Sequence, residues 1–163
     1  MIRIGVLTIS DMGARGLRAD GSGEAIRQTL PRMQGQEVRY AIVPDERERI
    51  AEVLREWADS GQVDLILTTG GTGLGPRDVT PEATRDVLDR EAPGLAEAMR
   101  ADTLKKTPFA MISRQVAGAR GRCLIVNLPG SPKAVRECLE VVLPVLPHAV
   151  ELLRGDTASH PTA

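Results

Sequence analysis

Thr68-Thr69-Gly70-Gly71-Thr72-Gly73-Leu74-Gly75-Pro76-Arg77-Asp78 lies between an apolar run, Val63-Asp64-Leu65-Ile66-Leu67, and a helix-start pair, Thr80-Pro81. The apolar run reads as a buried strand, and proline directly after Thr80 suits the first turn of a helix with Thr80 as its cap. The glycines let backbone N–H groups approach a ligand without side chains in the way. A strand, a glycine loop and a helix N-terminus together form an anion site, most often for phosphate. Two familiar phosphate motifs fail here. In the dinucleotide pattern G-x-G-x-x-G, starting from Gly71 and Gly73, the third glycine would fall at Pro76. In the P-loop pattern, Gly70 and Gly75 are followed by Pro76 and Arg77 rather than by lysine and a hydroxyl.

Working outward, strands alternate with helices. Residues Ile2–Ile9 form a nearly continuous apolar run, the pattern of a strand buried on both faces. After a loop rich in Gly, Arg and Asp, a helix is expected from about Glu24 to Met33, with Ser22 as its cap. Val38, Tyr40 and Ile42 alternate as a second strand ending at Val43-Pro44-Asp45. Ile50, Val53, Leu54, Trp57 and Ala58 keep the spacing of a helix with one buried face. Beyond the loop, helices are expected from Thr80 and from Gly94, the latter with Leu95, Ala98 and Met99 inward. Phe109–Ile112 reads as a short strand that pairs as a hairpin with Cys123–Val126 across a glycine turn. A last helix starts at Ser131-Pro132, with Val135, Cys138, Leu139 and Val142 inward. The fold class is α/β: a three-layer α/β/α sandwich with a mostly parallel sheet. Residues 1–155 read as one domain and residues 156–163 as a disordered tail.

Composition excludes several functions. Of 163 residues, 42% are hydrophobic and 26% charged, ordinary values for a globular protein. A net charge of -1 gives no drive towards nucleic acid or anionic membrane, and Trp57, Tyr40 and Phe109 are too few aromatics for a base-stacking platform. No apolar run approaches the ~20 residues of a membrane span, and the N-terminus reads as a strand rather than a signal peptide, so a cytoplasmic protein is expected. Cys123 and Cys138 lack metal-ligand spacing and read as buried reduced thiols; His148 and His160 are isolated.

In an open α/β sheet, ligands bind outside the carboxyl ends of the strands. The expected strand ends carry Ser10-Asp11, Asp45, the glycine loop with Arg77 and Asp78, and Asn127 with Gly130 and Ser131. Glycine-loop amides suit phosphate oxygens, and Asp45 and Asp78 suit Mg²⁺, which takes oxygen ligands and bridges to substrate phosphates. The residue types therefore point to phosphoryl or nucleotidyl transfer without a protein nucleophile. Each residue also has a plainer role: Asp45 or Ser131 as a helix cap, Asp78 as partner of Arg77, and Ser10 and Asp11 as satisfiers of a turn.

Thr69-Gly70-Gly71-Thr72-Gly73 with Pro76-Arg77-Asp78-Val79-Thr80-Pro81-Glu82-Ala83-Thr84 resembles the signature of the molybdopterin adenylyltransferases, the MogA/MoaB-type proteins and the G domains of proteins such as gephyrin. Ser10-Asp11, Asp20-x-Ser22-Gly23, Val43-Pro44-Asp45-Glu46, Thr107–Arg114 and Asn127–Lys133 extend the resemblance over almost the whole chain. It implies Mg²⁺-dependent transfer of AMP from ATP to the phosphate of molybdopterin, with release of pyrophosphate. By the same resemblance, Asp45 and Asp78 are the catalytic and metal-binding acids. Thr69, Gly70, Gly71, Thr72, Gly73 and Arg77 hold phosphate and pterin groups, and Ser10, Asp11, Asn127, Gly130 and Ser131 line the same pocket. A homotrimer with a molybdenum insertase as partner is also implied. The alternative is a carrier paralogue that binds molybdopterin without adenylylating it; the joint presence of Asp45 and Asp78 argues for the enzyme.

Overall fold

The first strand sets the architecture. In a computed structural model, which describes residues 1–156, β1 (Ile2–Ile9) is buried along almost its whole length. It lies between β2 (Gly35–Val43) and β3 (Leu65–Thr69), parallel to both, and β3 pairs in parallel with β6 (Cys123–Leu128). Two antiparallel strands, β5 (Ala117–Arg120) and β4 (Arg90–Glu91), complete a six-stranded sheet of order β2-β1-β3-β6-β5-β4.

Period-two alternation then sorts side chains between two helical layers. Ile4, Val6, Leu65, Leu67, Leu124 and Val126 face one core. That core is closed by α2 (Gly21–Thr29), α5 (Pro93–Leu104), α6 (Pro132–Val142) and α7 (Leu146–Arg154). Leu7, Ile9, Ile66, Cys123 and Ile125 face the other core, under α3 (Arg47–Asp59) and α4 (Thr80–Val87). The expected three-layer sandwich with a mostly parallel sheet is what the structure shows. Both cysteines are buried and free; burial pushes the Cys123 thiol up to about 12 and Cys138 up to about 11, so neither ionises near neutrality.

Several local expectations differ from the structure. Phe109–Ile112 belongs to a 3-10 turn, Pro108–Ile112, not to a strand. Thr107 caps it by accepting from the Phe109 N–H, and Phe109 is 76% exposed, so this apolar run has no core to face. The hairpin partner of β6 is β5 instead. Its small residues hid it from any hydrophobic pattern. They are needed there: a Cβ on Gly118 would strike the Arg90 carbonyl oxygen of β4. In α2 the cap is Asp20, whose carboxylate accepts from Gly23 N–H at 3.0 Å; Ser22 lies inside the helix. In α5 Ala96 and Met99 are buried and Ala98 is exposed. The helix α7, set off from α6 around Pro144 and Pro147, lies beyond what the periodicity up to Val142 predicts. Apart from Asp156, the expected tail, including His160, lies outside the described residues.

Helix α7 is tied to the strands by a buried acid. Asp64, its side chain 4% exposed, accepts from Arg3 at 2.9 and 3.0 Å and from Arg154 at 2.6 Å. Burial works to raise its pKa, but hydrogen bonds from Arg3 and Arg154 outweigh it and hold the carboxyl well below the usual range. Asp64→Asn is expected to cost about 2–3 kcal/mol, at the low end for a buried pair because both arginines stay partly solvated. Urea denaturation at neutral pH checks this. A depressed folded-state pKa means the charge-dependent stabilisation is complete above the unfolded value of about 4 and fades as pH falls below it. The stability gap between wild type and Asp64→Asn therefore narrows on acidification.

Candidate active site

From β1 the chain turns to β2 on one side and comes back as β3 on the other. The point where strand order reverses leaves a crevice outside the carboxyl ends of β1 and β3, the place where open α/β sheets bind ligands. A cavity of about 590 Å³ occupies this place, within the range of small-molecule sites. Its walls are Ser10 and Asp11 after β1, Asp45 after β2, Gly70 and Gly71 after β3, and Gly130 and Ser131 after β6; the approach to α2, from Arg18 to Ser22, closes one side.

Two of these strand ends are locked together by their own acids. The Asp11 N–H donates to Asp45 Oδ2 at 2.8 Å, and the Asp45 N–H donates to Asp11 Oδ1 at 2.9 Å. Arg77 then forks onto Asp11, with Nε 3.1 Å and Nη2 2.9 Å from its two oxygens. The two carboxylates are consequently unlike. The Arg77 guanidinium, with the Asp45 backbone N–H, holds Asp11 below the ordinary carboxylate range. Asp45 is pushed up by burial; the Asp11 N–H pulls it back, and the negative charges of Asp11 and Asp78 push it up again. Asp45 is thus the acid whose charge is left uncompensated, and its Oδ1 faces Gly71.

The glycine loop keeps its shape through its backbone. Gly70 and Gly71 have φ of +98° and +68°, the left-handed region that favours glycine. A Cβ on Gly70 would strike the Ile9 carbonyl oxygen; one on Gly71 would strike Thr80 Oγ1 and lie 3.2 Å from Asp45 Oδ1. Thr80 is not the cap of α4, a position taken by Val79 without a side-chain bond. Its hydroxyl donates instead to the Gly70 carbonyl at 2.8 Å, which pins the turn from below. Arg114 braces the rest of the loop. It donates to the carbonyls of Gly73 and Asp78, both at 2.7 Å, and pairs with Glu82. Asp78 Oδ2 accepts from Gly75 N–H at 2.9 Å.

Not every expected site residue reaches the cavity. Thr69 is buried and donates to the Pro129 carbonyl at 2.6 Å. Thr72, Gly73 and Asp78 lie further round the loop, outside the cavity walls, and Arg77 is engaged by Asp11. Asn127 is fully buried. Its Nδ2 donates to Thr68 and Thr84 hydroxyls, both at 3.0 Å, and its Oδ1 accepts from Val116 N–H at 3.2 Å. It therefore splices β3, β6 and α4 beneath the site. Asn127→Ala is expected to lower stability by about 2–4 kcal/mol through three lost hydrogen bonds, measured by chemical denaturation, with ligand affinity at permissive temperature changed little.

Two contributors escaped the residue-by-residue reading. Asp20, which lines the cavity, accepts from Thr8 Oγ1 at 2.8 Å, Tyr40 OH at 2.6 Å and Gly23 N–H. It orders the approach to α2 from both sides. Arg114 is the other. Both stand within stretches that carried the resemblance, but only partners distant in sequence, such as Tyr40 and Gly73, give them work.

The profile of a family described as a probable molybdopterin binding domain matches residues 5–148. The chain belongs to this family. It is 48% identical to the molybdopterin adenylyltransferase of Helicobacter pylori strain J99, over 95% of this chain and 89% of that protein. It is 46% identical to the molybdenum cofactor synthesis protein cinnamon of Drosophila melanogaster, over 96% of this chain but 26% of that longer protein. The molybdopterin biosynthesis enzyme MoaB of Thermus thermophilus superposes with a TM-score of 0.90 at 61% identity, over 95% of this chain and 98% of that one. These likenesses place the chain among the molybdopterin adenylyltransferases of the MogA and MoaB type, whose structures superpose on it with TM-scores of 0.90 and 0.88.

The oxygen donors present fit a hard cation. Among the described residues no cluster of three or more acids, histidines or cysteines is close enough to hold a metal by itself. Mg²⁺ is commonly bound by one or two carboxylates together with waters and substrate phosphates, so Asp45, facing the glycine turn at Gly71, suits it.

Proposed function

We propose that the chain catalyses Mg²⁺-dependent adenylyl transfer from ATP to molybdopterin in the cavity at the ends of β1, β3 and β6. An oxygen of the pterin's phosphate attacks the α-phosphorus of ATP, the bond to the β-phosphate oxygen breaks, and pyrophosphate leaves. The observation that carries this reading is Asp45: a half-buried carboxylate, pushed up in pKa, facing the glycine turn at Gly70-Gly71. Such an acid beside a phosphate site is placed to share a divalent cation with the substrate, and that cation supplies charge neutralisation at the reacting phosphates. Gly70 and Gly71, which carry no side chain, leave room for phosphate oxygens to approach the backbone, while Ser10, Ser131 and Gly130 complete the wall.

Asp78, on the outer arc of the loop and close enough to Asp45 to raise its pKa, is proposed as the second acid of the same reaction. A homotrimer, a location in the cytoplasm and hand-over of the product to a molybdenum insertase complete the proposal. No helix among the described residues is long and apolar enough to cross a membrane, and the exposed Phe109, Met111 and Ile112 offer apolar surface for assembly. The purified chain with ATP, Mg²⁺ and molybdopterin is expected to release pyrophosphate in step with adenylylated pterin. Binding of both substrates without pyrophosphate release would refute the reaction and leave a carrier.

A further inference from the structure

Arg18 stands out when the charges around the cavity are followed one by one. The acids lining it are Asp11, Asp20 and Asp45, while Arg18 is the single basic residue in its wall. Arg77, the cation nearest the glycine loop in sequence, is already forked onto Asp11 and is neutralised there. Arg18 has no ion pair or hydrogen bond among the described residues. It stands on the irregular segment between α1 (Asp11–Ala14) and α2, beyond Gly16, whose φ is +71°. That segment is anchored at its far end by the Asp20 hydrogen bonds to Thr8, Tyr40 and Gly23. The backbone is therefore fixed close to Arg18 while its guanidinium keeps all its donors unspent.

We infer that Arg18 is a phosphate-binding residue that closes on the phosphoryl oxygens of a substrate from the α2 side of the cavity. The assignment rests on the proposed function for its substrates. The chemistry is that of a polyanion entering a site walled by carboxylates. Asp11 is paired with Arg77, but Asp20 and Asp45 still present negative charge to an incoming phosphate, and an unpaired guanidinium offers a planar fork matched to two phosphate oxygens. Both substrates carry phosphate, the triphosphate of the nucleotide and the terminal phosphate of the pterin, so the two are tested separately.

The test titrates wild type, Arg18→Gln and Arg18→Lys with ATP and Mg²⁺, and separately with molybdopterin, and follows pyrophosphate release under steady-state conditions. Arg18 is exposed and unpaired, so the variants are expected to melt at the wild-type temperature. Arg18→Gln is expected to weaken one ligand by about ten- to a hundredfold, the loss of a charge-assisted fork. KM for that ligand rises more than kcat falls, and Arg18→Lys restores part of the affinity. Loss in the ATP arm alone assigns Arg18 to the triphosphate, and loss in the molybdopterin arm alone assigns it to the pterin phosphate. If both affinities stay within about twofold of wild type, the inference is overturned. Turnover by wild type with an equally active Arg18→Gln overturns Arg18 and leaves the reaction standing. Binding lost in Arg18→Gln, with no turnover by wild type, refutes the reaction and leaves Arg18 a phosphate ligand.

Discussion

Asp45→Asn is expected to abolish most adenylyl transfer while leaving the fold intact. The amide keeps the size of the carboxylate, and its oxygen still accepts the Asp11 N–H that Asp45 Oδ2 accepts at 2.8 Å. What is lost is the charge facing Gly71. Removing the carboxylate charge that would share a divalent cation with the reacting phosphates lowers turnover by about a hundred- to a thousandfold. Pyrophosphate release under saturating ATP and molybdopterin measures it, and molybdopterin affinity is expected to be nearly unchanged. The wild type's pH profile carries the same signature. Burial, with the charges of Asp11 and Asp78, lifts the Asp45 pKa against the opposing Asp11 N–H and Arg77. A raised pKa means the carboxylate form is lost earlier on acidification. Activity should therefore fall at a higher pH than the value of about 4 typical of a free carboxyl. Asp45→Asn removes that limb of the profile. Retained activity in Asp45→Asn would move the catalytic charge elsewhere, with Asp78 the next acid to examine.

Gly70→Ala is expected to have the largest structural effect of any single methyl added to the site. Two costs coincide. The φ of +98° lies where an L side chain is strained, about 1–3 kcal/mol. The new Cβ would also meet the Ile9 carbonyl oxygen, a backbone atom of β1 that has no rotamer through which to escape. The turn must shift, and with it the Gly70 N–H bond to the Leu128 carbonyl at 3.2 Å and the Thr80 bond to the Gly70 carbonyl. A loss of about 3–5 kcal/mol follows from strain and overpacking combined, read from the denaturation midpoint. A control is Gly94→Ala on α5, where a Cβ meets nothing within 4 Å; it is expected to be neutral or slightly stabilising. Gly70→Ala with wild-type stability would mean that the turn is not held as tightly as these contacts require.

The fold was legible where periodicity and burial coincide. β1, β3 and β6 read as continuous apolar runs because both faces of a parallel sheet are covered, and α3 and α6 show the stripe of a one-sided helix. The antiparallel edge was not legible. β5 is Ala-Gly-Ala-Arg, chosen for close approach to β4, and carries no hydrophobic pattern. Phe109–Ile112 misled for the opposite reason, apolar residues that face outward.

The site was legible in part. Strand-end logic brought Ser10, Asp11, Asp45, Gly70, Gly71, Gly130 and Ser131 to one cavity. It could not separate them from Asn127 and Thr69, which occupy equivalent strand-end positions but point into the core. Burial of one side chain relative to its neighbours is a tertiary property. The pairing of Arg77 with Asp11 rather than with a ligand, and the free state of Arg18, likewise depend on residues far apart in sequence.

The structure of the chain in complex with adenylylated molybdopterin tests whether this cavity holds the reacting phosphates. The diphosphate bridge of the product is expected to lie against Gly70 and Gly71, between Ser10-Asp11 and Gly130-Ser131, with Asp45 facing it. Product bound elsewhere on the molecule, with this cavity empty, would contradict it.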